Sequence, residues 1–565
     1  MCYHIVMNIK KYIVNSIGFD FSELNADVEN LIIESISADK GDYSLPCFSF
    51  AKVLKESPIN IANKIAESVK TGGVIEKCEV VAGYVNFFLN KQFVAKEIIE
   101  NFTNDSLKFN DGCGKVVCVD YGSPNLAKYL HIGHLKTLIV GESLCRLLEQ
   151  FNYTVNRLNF VGDYGTPFGK IIGGMKRWGS IEDIKARGND ALQEYYVKFN
   201  ALEAENPEVS QEARDIFKQI EDKDEEIYPI YEFIIKIALE DANNMFNQLG
   251  VTFDDYRGEM FYNNKVSDAI KLLEEKNLLK ESQNAKIVDL EEFDMPPAVI
   301  IKSDGTTLYI TRDIPAALDR HQQYNFDKLL YVTDVAQKLH FQQLFKVIGL
   351  MGNEFENDME HIAYGRFSLP DGKISSRRGK QAVLVDLMEY VLNKAKDVIK
   401  DRKFEIENPE DVAQKVVRAV LNYSVLKVER IKDCVFDIEQ AFSFEGETAP
   451  YMLYTYTRLE SILRKCDNIG DVADYSCYNQ EAFDIVKAIN DFENTMRVSL
   501  EKRDTSLIGK RVMEMCKMFN KFYTTTKVID GNPEKTKAKI NLVKALKETL
   551  AVGFKLLCID TLKEM

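Results

Sequence analysis

No run in this chain approaches the roughly 20 apolar residues needed to span a membrane. Its opening, MCYHIVMNIKKYIV, lacks the pattern of a cleavable signal. These absences make the cytoplasm the expected compartment, with no membrane partner. Eleven cysteines are scattered with no C-x-x-C pair, which points to reduced thiols and leaves no zinc or other metal site to expect. Positive charge is in deficit: 72 lysines and arginines face 87 acids, a formal net charge of −15. That balance argues against a nonspecific nucleic-acid binder, although local patches rather than net charge set an RNA footprint. Histidine is scarce, with six in 565 residues. What is present, 45% hydrophobic and 28% charged residues, suits a soluble chain with ample core. Its length suits about three or four domains.

Two of the six histidines stand three apart within residues 116–146, VVCVDYGSPNLAKYLHIGHLKTLIVGESLCR, around which the chain is organised. A β-branched run, Val116, Val117, Cys118 and Val119, ends in Asp120 and reads as a buried parallel strand. A loop with Ser123, Pro124 and Asn125 follows, then His131-Ile132-Gly133-His134. Leu135, Leu138, Ile139, Leu144 and Leu147 then fall at helical spacing. Strand, tight loop and helix N-terminus form the geometry that receives phosphate at the carboxyl edge of an open α/β sheet. Both imidazoles can donate to phosphate oxygens, and Gly133 between them leaves room for a flat base. A bare H-x-G-H would equally suit two histidines that only cap a helix.

The tetrapeptide in this setting resembles the ATP signature of class I aminoacyl-tRNA synthetases. The longer run D-Y-G-S-P-N-L-A-K-x-x-H-I-G-H-L-K, residues 120–136, resembles the arginyl-tRNA synthetase family. Further matches are V-G-D-x-G-T-x-F-G at 161–169, L-Y-x-T-R-D-I at 308–314, Gln-x-x-His-Phe at 337–341 and G-E-T-x-P-Y-x-x-Y-x-x-x-R at 446–458. The likeness runs essentially end to end. It implies an α/β fold: a class I Rossmann-like catalytic domain with an N-terminal α+β module and a C-terminal all-α anticodon-binding bundle.

Taken in order, residues 1–110 read as the small α+β module, with helical periodicity over 13–31, a helix near 59–69 and strands at 79–82 and 85–89. The resemblance implies contact with the tRNA elbow, making Asn86, with Tyr84 and Phe87, a candidate tRNA-binding position. An Asn-, Asp- and Gly-rich linker at 101–114 separates this module from the catalytic domain, residues 111–400. A strand at 155–160 precedes the glycine turn at 161–169. Residues 170–265 are charged and helical, an insertion placed to reach the acceptor end of a tRNA; no residues suited to hydrolytic editing stand out there. Residues 296–305 read as a hairpin, 308–313 as a strand giving way to a helix at 316–324, 329–333 as a strand and 337–351 as a helix.

By resemblance, Asp120, Ser123, Asn125, Tyr309, Asp313 and Gln337 form an arginine pocket, since a carboxylate is the natural bidentate partner of a guanidinium. ATP would lie against His131, Gly133 and His134. The loop 366–380, RFSLPDGKISSRRGK, stands where the second class I signature, K-M-S-K-S, is found. Lys373, Ser375, Ser376 and Arg377 would clamp the triphosphate, but the second lysine of that signature is missing. Lys128, just ahead of the first signature, is placed to compensate.

Residues 401–565 read as the helical anticodon-binding part, with Tyr451, Tyr454, Arg458 and Met565 as candidate tRNA contacts. The expected substrates are L-arginine, ATP with Mg²⁺ and tRNA(Arg); no structural metal is expected, and a monomer is the default. Two alternatives stand beside this reading: another class I synthetase of glutamyl or cysteinyl type, and a tRNA-binding paralogue with a dead site.

Overall fold

The structure is a computed structural model of the chain and describes residues 7–24, 27–35, 38–103, 105–370, 382–400, 408–466 and 470–564. Residues separate into two compact units. One gathers 1–107, 455–495 and 511–552, and the other 108–454, 496–510 and 553–565.

The second unit is built on a four-stranded, all-parallel sheet. Its strands are β1 (Val116–Asp120), β2 (Thr154–Leu158), β3 (Lys328–Asp334) and β4 (Met359–Tyr364), in the spatial order β4-β3-β1-β2. The β1 strand reads as a continuous apolar run because both its faces are covered: Val117, Cys118 and Val119 are fully buried. The chain leaves β1 through helix α1 (His134–Gln150) to reach β2, and leaves β3 through helix α3 (Lys338–Leu350) to reach β4. The two connections run outward from β1 and β3, so a crevice opens beyond the carboxyl ends of these adjacent strands, where open α/β sheets take ligands.

Helix α2 (Tyr309–Tyr324) begins earlier than its sequence suggests. The strand expected at 308–313 is already helix, and the turn of helix containing Pro315 is continuous with it. A mid-helix proline removes one backbone bond. Here the first turn is pinned instead by the buried Thr311, whose Oγ1 donates to the Ile300 carbonyl at 2.7 Å. The hairpin expected at 296–305 reduces to strand Ala298–Ile301 and a single bridge from Ile301 to Thr307. That strand joins an antiparallel hairpin, Leu279–Ser282 with Ala285–Val288. Its two-residue turn, Gln283-Asn284, has both φ angles positive (48° and 60°), the requirement of a type I′ turn. The inserted segment is helical as expected, with Thr166–Trp178, Asn189–Glu205, Val209–Glu221 and Ile227–Leu249 as its long helices.

In the first unit, strands Ile33–Glu34, Tyr43–Pro46, Tyr84–Leu89 and Ile75–Val81 form an antiparallel sheet in that order. The helix expected over 13–31 stops at Ser16: Ile17 bridges to Val69, and the Asp20 carboxylate accepts from Ser22 N at 2.9 Å, turning the chain. Helices from later in the chain complete this unit, with Lys91 Nζ donating to Gln480 Oε1 at 2.5 Å and Met7 N to Asn490 Oδ1 at 3.0 Å.

Candidate active site

The crevice holds a cavity of about 660 Å³. Its floor comes from the loop after β1 (Gly122, Ser123), one wall from His131–His134 and Thr137, and the other from the end of β3 (Val332, Thr333, Asp334) and Gln337. Tyr364 and residues 366–369, which lead toward the basic loop, close the remaining side.

Each of these pieces is fixed from behind. Buried Thr137 is the pivot: its Oγ1 accepts from Gly122 N at 3.0 Å and donates to the Val332 carbonyl at 2.9 Å, tying α1, the β1 loop and β3 together. Asn159, also buried, accepts through Oδ1 from Ser123 N at 3.0 Å, with Ser123 itself in a left-handed conformation (φ 45°). The glycine turn at 161–163 pairs with the Pro124-Asn125 loop through Gly162 N to Pro124 O (2.8 Å) and Leu126 N to Gly162 O (3.0 Å).

The two histidine rings lie 3.9 Å apart between centroids. Gly133 N donates to His131 Nδ1 at 3.1 Å, so the His131 proton sits on Nε2. His134 Nδ1 is held 3.1 Å from both the backbone nitrogen and the carbonyl of His131. Burial lowers the pKa of His131, and burial with the neighbouring ring lowers that of His134 to about 3, so both are neutral donors at physiological pH. A Cβ at position 133 would stand 2.8 Å from the His131 ring, so glycine there is a matter of close approach.

Of the residues expected to bind ligands, the structure brings Ser123, His131, Gly133, His134 and Gln337 to the cavity. Asp120, Asn125, Tyr309 and Asp313 do not line it. Asp120 is buried, with Oδ2 paired to Arg320 Nη1 at 2.7 Å, and Arg320 also lies 5.6 Å from the Phe160 ring and 5.7 Å from Tyr331. Asn125 is exposed and caps its own loop, accepting from Ala127 N at 3.0 Å. Lys128 is exposed, its Nζ 5.9 Å from the Tyr196 ring. The carbonyl of the preceding Ala127 is held at 3.3 Å by the buried amide of Gln193. Lys373, Ser375, Ser376, Arg377 and Met565 lie outside the described residues.

Tyr309 is two-thirds exposed, and Asp313 lies one helical turn further on. Around them is a polar cluster that the sequence reading did not single out. Arg312 lies over the rings of Tyr164 (5.0 Å) and Tyr309 (5.7 Å) and faces Glu259 at 3.6 Å. Burial raises the Glu259 pKa to about 7, with Asp163 and Asp313 adding to the rise against Arg312, and burial raises Asp163 to about 6. Asp313 Oδ2 is 2.7 Å from His340 Nε2. His340 could have been noticed as one of only six histidines, lying three residues after Gln337 in Gln-x-x-His-Phe.

In the first unit, Asn86 is buried and its amide oxygen accepts from Ser44 Oγ at 2.6 Å, while Tyr84 packs edge-on against the exposed Phe48 at 5.1 Å. Helix Ala449–Arg464 carries Tyr451, Tyr454 and Arg458 at a spacing that shares one face. Arg458 donates to Asn520 Oδ1 at 2.6 Å and lies 4.8 Å from the ring of Tyr523, an exposed aromatic not foreseen from the sequence.

The chain matches three families: tRNA synthetases class I (R), catalytic domain, over residues 98–438; the DALR anticodon binding domain over 452–565; and the arginyl tRNA synthetase N terminal domain over 6–89. An arginine–tRNA ligase of Halothermothrix orenii is 39% identical over 566 residues, covering 99% of this chain and 100% of the relative. One from Clostridioides difficile is 38% identical over 536 residues, 94% and 95% of the two chains. Among solved structures, the arginyl-tRNA synthetase of Thermus thermophilus shares the fold with a TM-score of 0.81 at 21% identity, covering 94% of this chain and 96% of that one. That of Plasmodium falciparum does so with 0.79 at 22% identity, over 100% and 99%.

Proposed function

We propose, of a chain that belongs to the class I arginyl-tRNA synthetases, that it joins L-arginine to tRNA(Arg) in two steps at the crevice beyond β1 and β3. In the first step the carboxylate of arginine attacks the α-phosphorus of ATP in line. Arginyl-adenylate forms and pyrophosphate leaves with the Mg²⁺ that entered on the nucleotide. The nucleophile is already an anion, so no general base is needed, and catalysis rests on positioning and on stabilising charge at phosphorus. In the second step a terminal ribose hydroxyl of the tRNA attacks the arginyl carbonyl and AMP leaves.

The observation that carries this reading is the pair of neutral imidazoles, with Gly133 between them, at the N-terminus of α1 and across the cavity from Gln337. As donors without charge they bind the phosphate oxygens whose charge grows in the transition state, aided by the helix N-terminus. Lys128 and Lys373 supply the cations, and Ser375, Ser376 and Arg377 complete the clamp. Ser123, Asn125 and Gln337 meet the reacting end of arginine, while Asp313 and Tyr309 meet its guanidinium. In this reading Asp120 acts from behind, through its pairing with Arg320. The N-terminal module touches the elbow of the tRNA. Tyr451, Tyr454, Arg458 and Met565 meet its anticodon arm.

We take the enzyme to work as a cytoplasmic monomer; no described helix is long and apolar enough to cross a membrane. Charging of total tRNA by the purified chain, with each amino acid labelled in turn, tests the reading. Arginine alone is expected to be incorporated. Incorporation of another amino acid in its place would overturn it.

A further inference from the structure

Asp313 stands on α2 with its side chain about one-fifth exposed, and its Oδ2 lies 2.7 Å from His340 Nε2 on α3. His340 is itself part of a braced row. Its ring meets Phe341 edge-on at 5.1 Å, Phe341 stacks on His361 of β4 at 4.8 Å, and His361 Nε2 is 2.8 Å from Thr333 Oγ1 on the crevice wall. A carboxylate on a helix can rotate about its terminal torsion, and a guanidinium is recognised in a fixed planar fork. An imidazole N–H on one oxygen removes that freedom and leaves the other oxygen oriented.

We propose that His340 is a positioning residue for amino-acid recognition: its Nε2–H fixes the Asp313 carboxylate in the orientation that receives a guanidinium, so that it sets the affinity for arginine without touching it. This rests on the reading that Asp313 meets the substrate side chain. The geometry also gives the site a dependence on pH. Burial lowers the His340 pKa, but the bond to and charge of Asp313 outweigh it and leave the ring above its ordinary value. The charged and titratable groups around this pair are Arg312 and Glu259 beyond Asp313, Asp120 on β1 with its partner Arg320, Tyr331 on β3, His361 on β4 with Arg430 beyond it, and Lys338 on α3. Protonated His340 offsets the charge of Asp313 and repels an incoming guanidinium. Neutral His340 keeps the Nε2–H bond when the proton leaves Nδ1. The KM for arginine therefore falls as pH rises through the titration of His340.

The test is the KM for arginine in tRNA charging by the full chain, for the wild type, His340→Phe and His340→Gln, between pH 6 and 8.5. A hydrogen bond to a charged group is worth a factor of about 10 or more. His340→Phe is expected to raise the KM for arginine by that factor, with kcat and the KM for ATP within about two-fold. His340→Gln, whose amide can still donate to Asp313 but does not titrate, is expected to restore the KM to within a few-fold and to flatten its pH dependence. An unmoved KM in His340→Phe, with the wild type charging arginine, overturns this proposal alone. Equal loss of kcat in both variants also overturns it, since the ring would then be only structural filling. A wild type that does not charge arginine overturns the functional reading and this proposal with it.

Discussion

Among single residues, the proposed reaction depends on two imidazoles that are neutral where they work. Burial depresses both, His134 to about 3 and His131 below its ordinary 6.5. At saturating arginine, arginine-dependent adenylate formation should therefore stay flat between about pH 7.5 and 8.5 with respect to these two groups. Activity that climbs on acidification through pH 6.5 and is lost in His131→Ala would show that the ring acts as a cation. His131→Ala itself should slow adenylate formation by about 10²-fold or more while barely changing tRNA affinity, measured by pyrophosphate exchange beside filter binding. Gly133→Ala should give a loss in the same direction with little change in melting temperature, because the new methyl meets the His131 ring and not the core. Legibility at this scale was uneven. His131, Gly133, His134, Ser123 and Gln337 are read from motif positions and meet at one cavity. Asp120 carries the same motif evidence, but one of its two oxygens, Oδ2, is held by Arg320, two hundred residues away in sequence, and no local pattern reveals such a partner.

At the scale of elements, the phosphate-receiving geometry is a strand, a loop and a helix that sequence periodicity marks well: β1 and α1 lie where the apolar run and the helical spacing place them. What periodicity could not show is how the pieces are locked. Thr137 serves the β1 loop and β3 at once, and in the sequence it is one of several polar residues on α1, with nothing to mark it out from Lys136 or Ser143. Thr137→Val keeps the shape and removes both bonds, leaving Gly122 N–H and the Val332 carbonyl short of a partner. The expected cost is about 1–3 kcal/mol, read as a lower denaturant midpoint for the catalytic unit together with reduced activity. A variant as stable and active as the wild type would show that the loop is held by other means. Residues 308–313 read as a strand but open α2, because the tertiary bond from Thr311 to Ile300 holds the turn on the N-terminal side of Pro315.

At the scale of the whole molecule, a net charge of −15 has to coexist with an RNA partner. Aromatic faces with a nearby arginine offer a route that does not need bulk positive charge, since stacking on a splayed base is worth about 1–3 kcal/mol. Tyr454 and Tyr523 are exposed, and Arg458 lies over Tyr523. Tyr454→Ala and Tyr523→Ala should each raise the KM for tRNA by about 10-fold and leave the KM for arginine unchanged in charging assays. An unchanged KM for tRNA in both would move the contact surface elsewhere. The G-E-T-x-P-Y-x-x-Y match marks Tyr454 as a candidate in the sequence, while Tyr523 lies on a different helix, Ser506–Thr525, with no motif around it, and only its exposure points to it.

The proposed function turns on whether this crevice activates arginine on ATP. The most direct measurement is amino-acid-dependent ATP–pyrophosphate exchange by the intact protein, with and without tRNA. Exchange with arginine is expected when tRNA is present, and its loss is expected in His131→Ala. Exchange driven by a different amino acid, or none from folded protein under any condition, would contradict it.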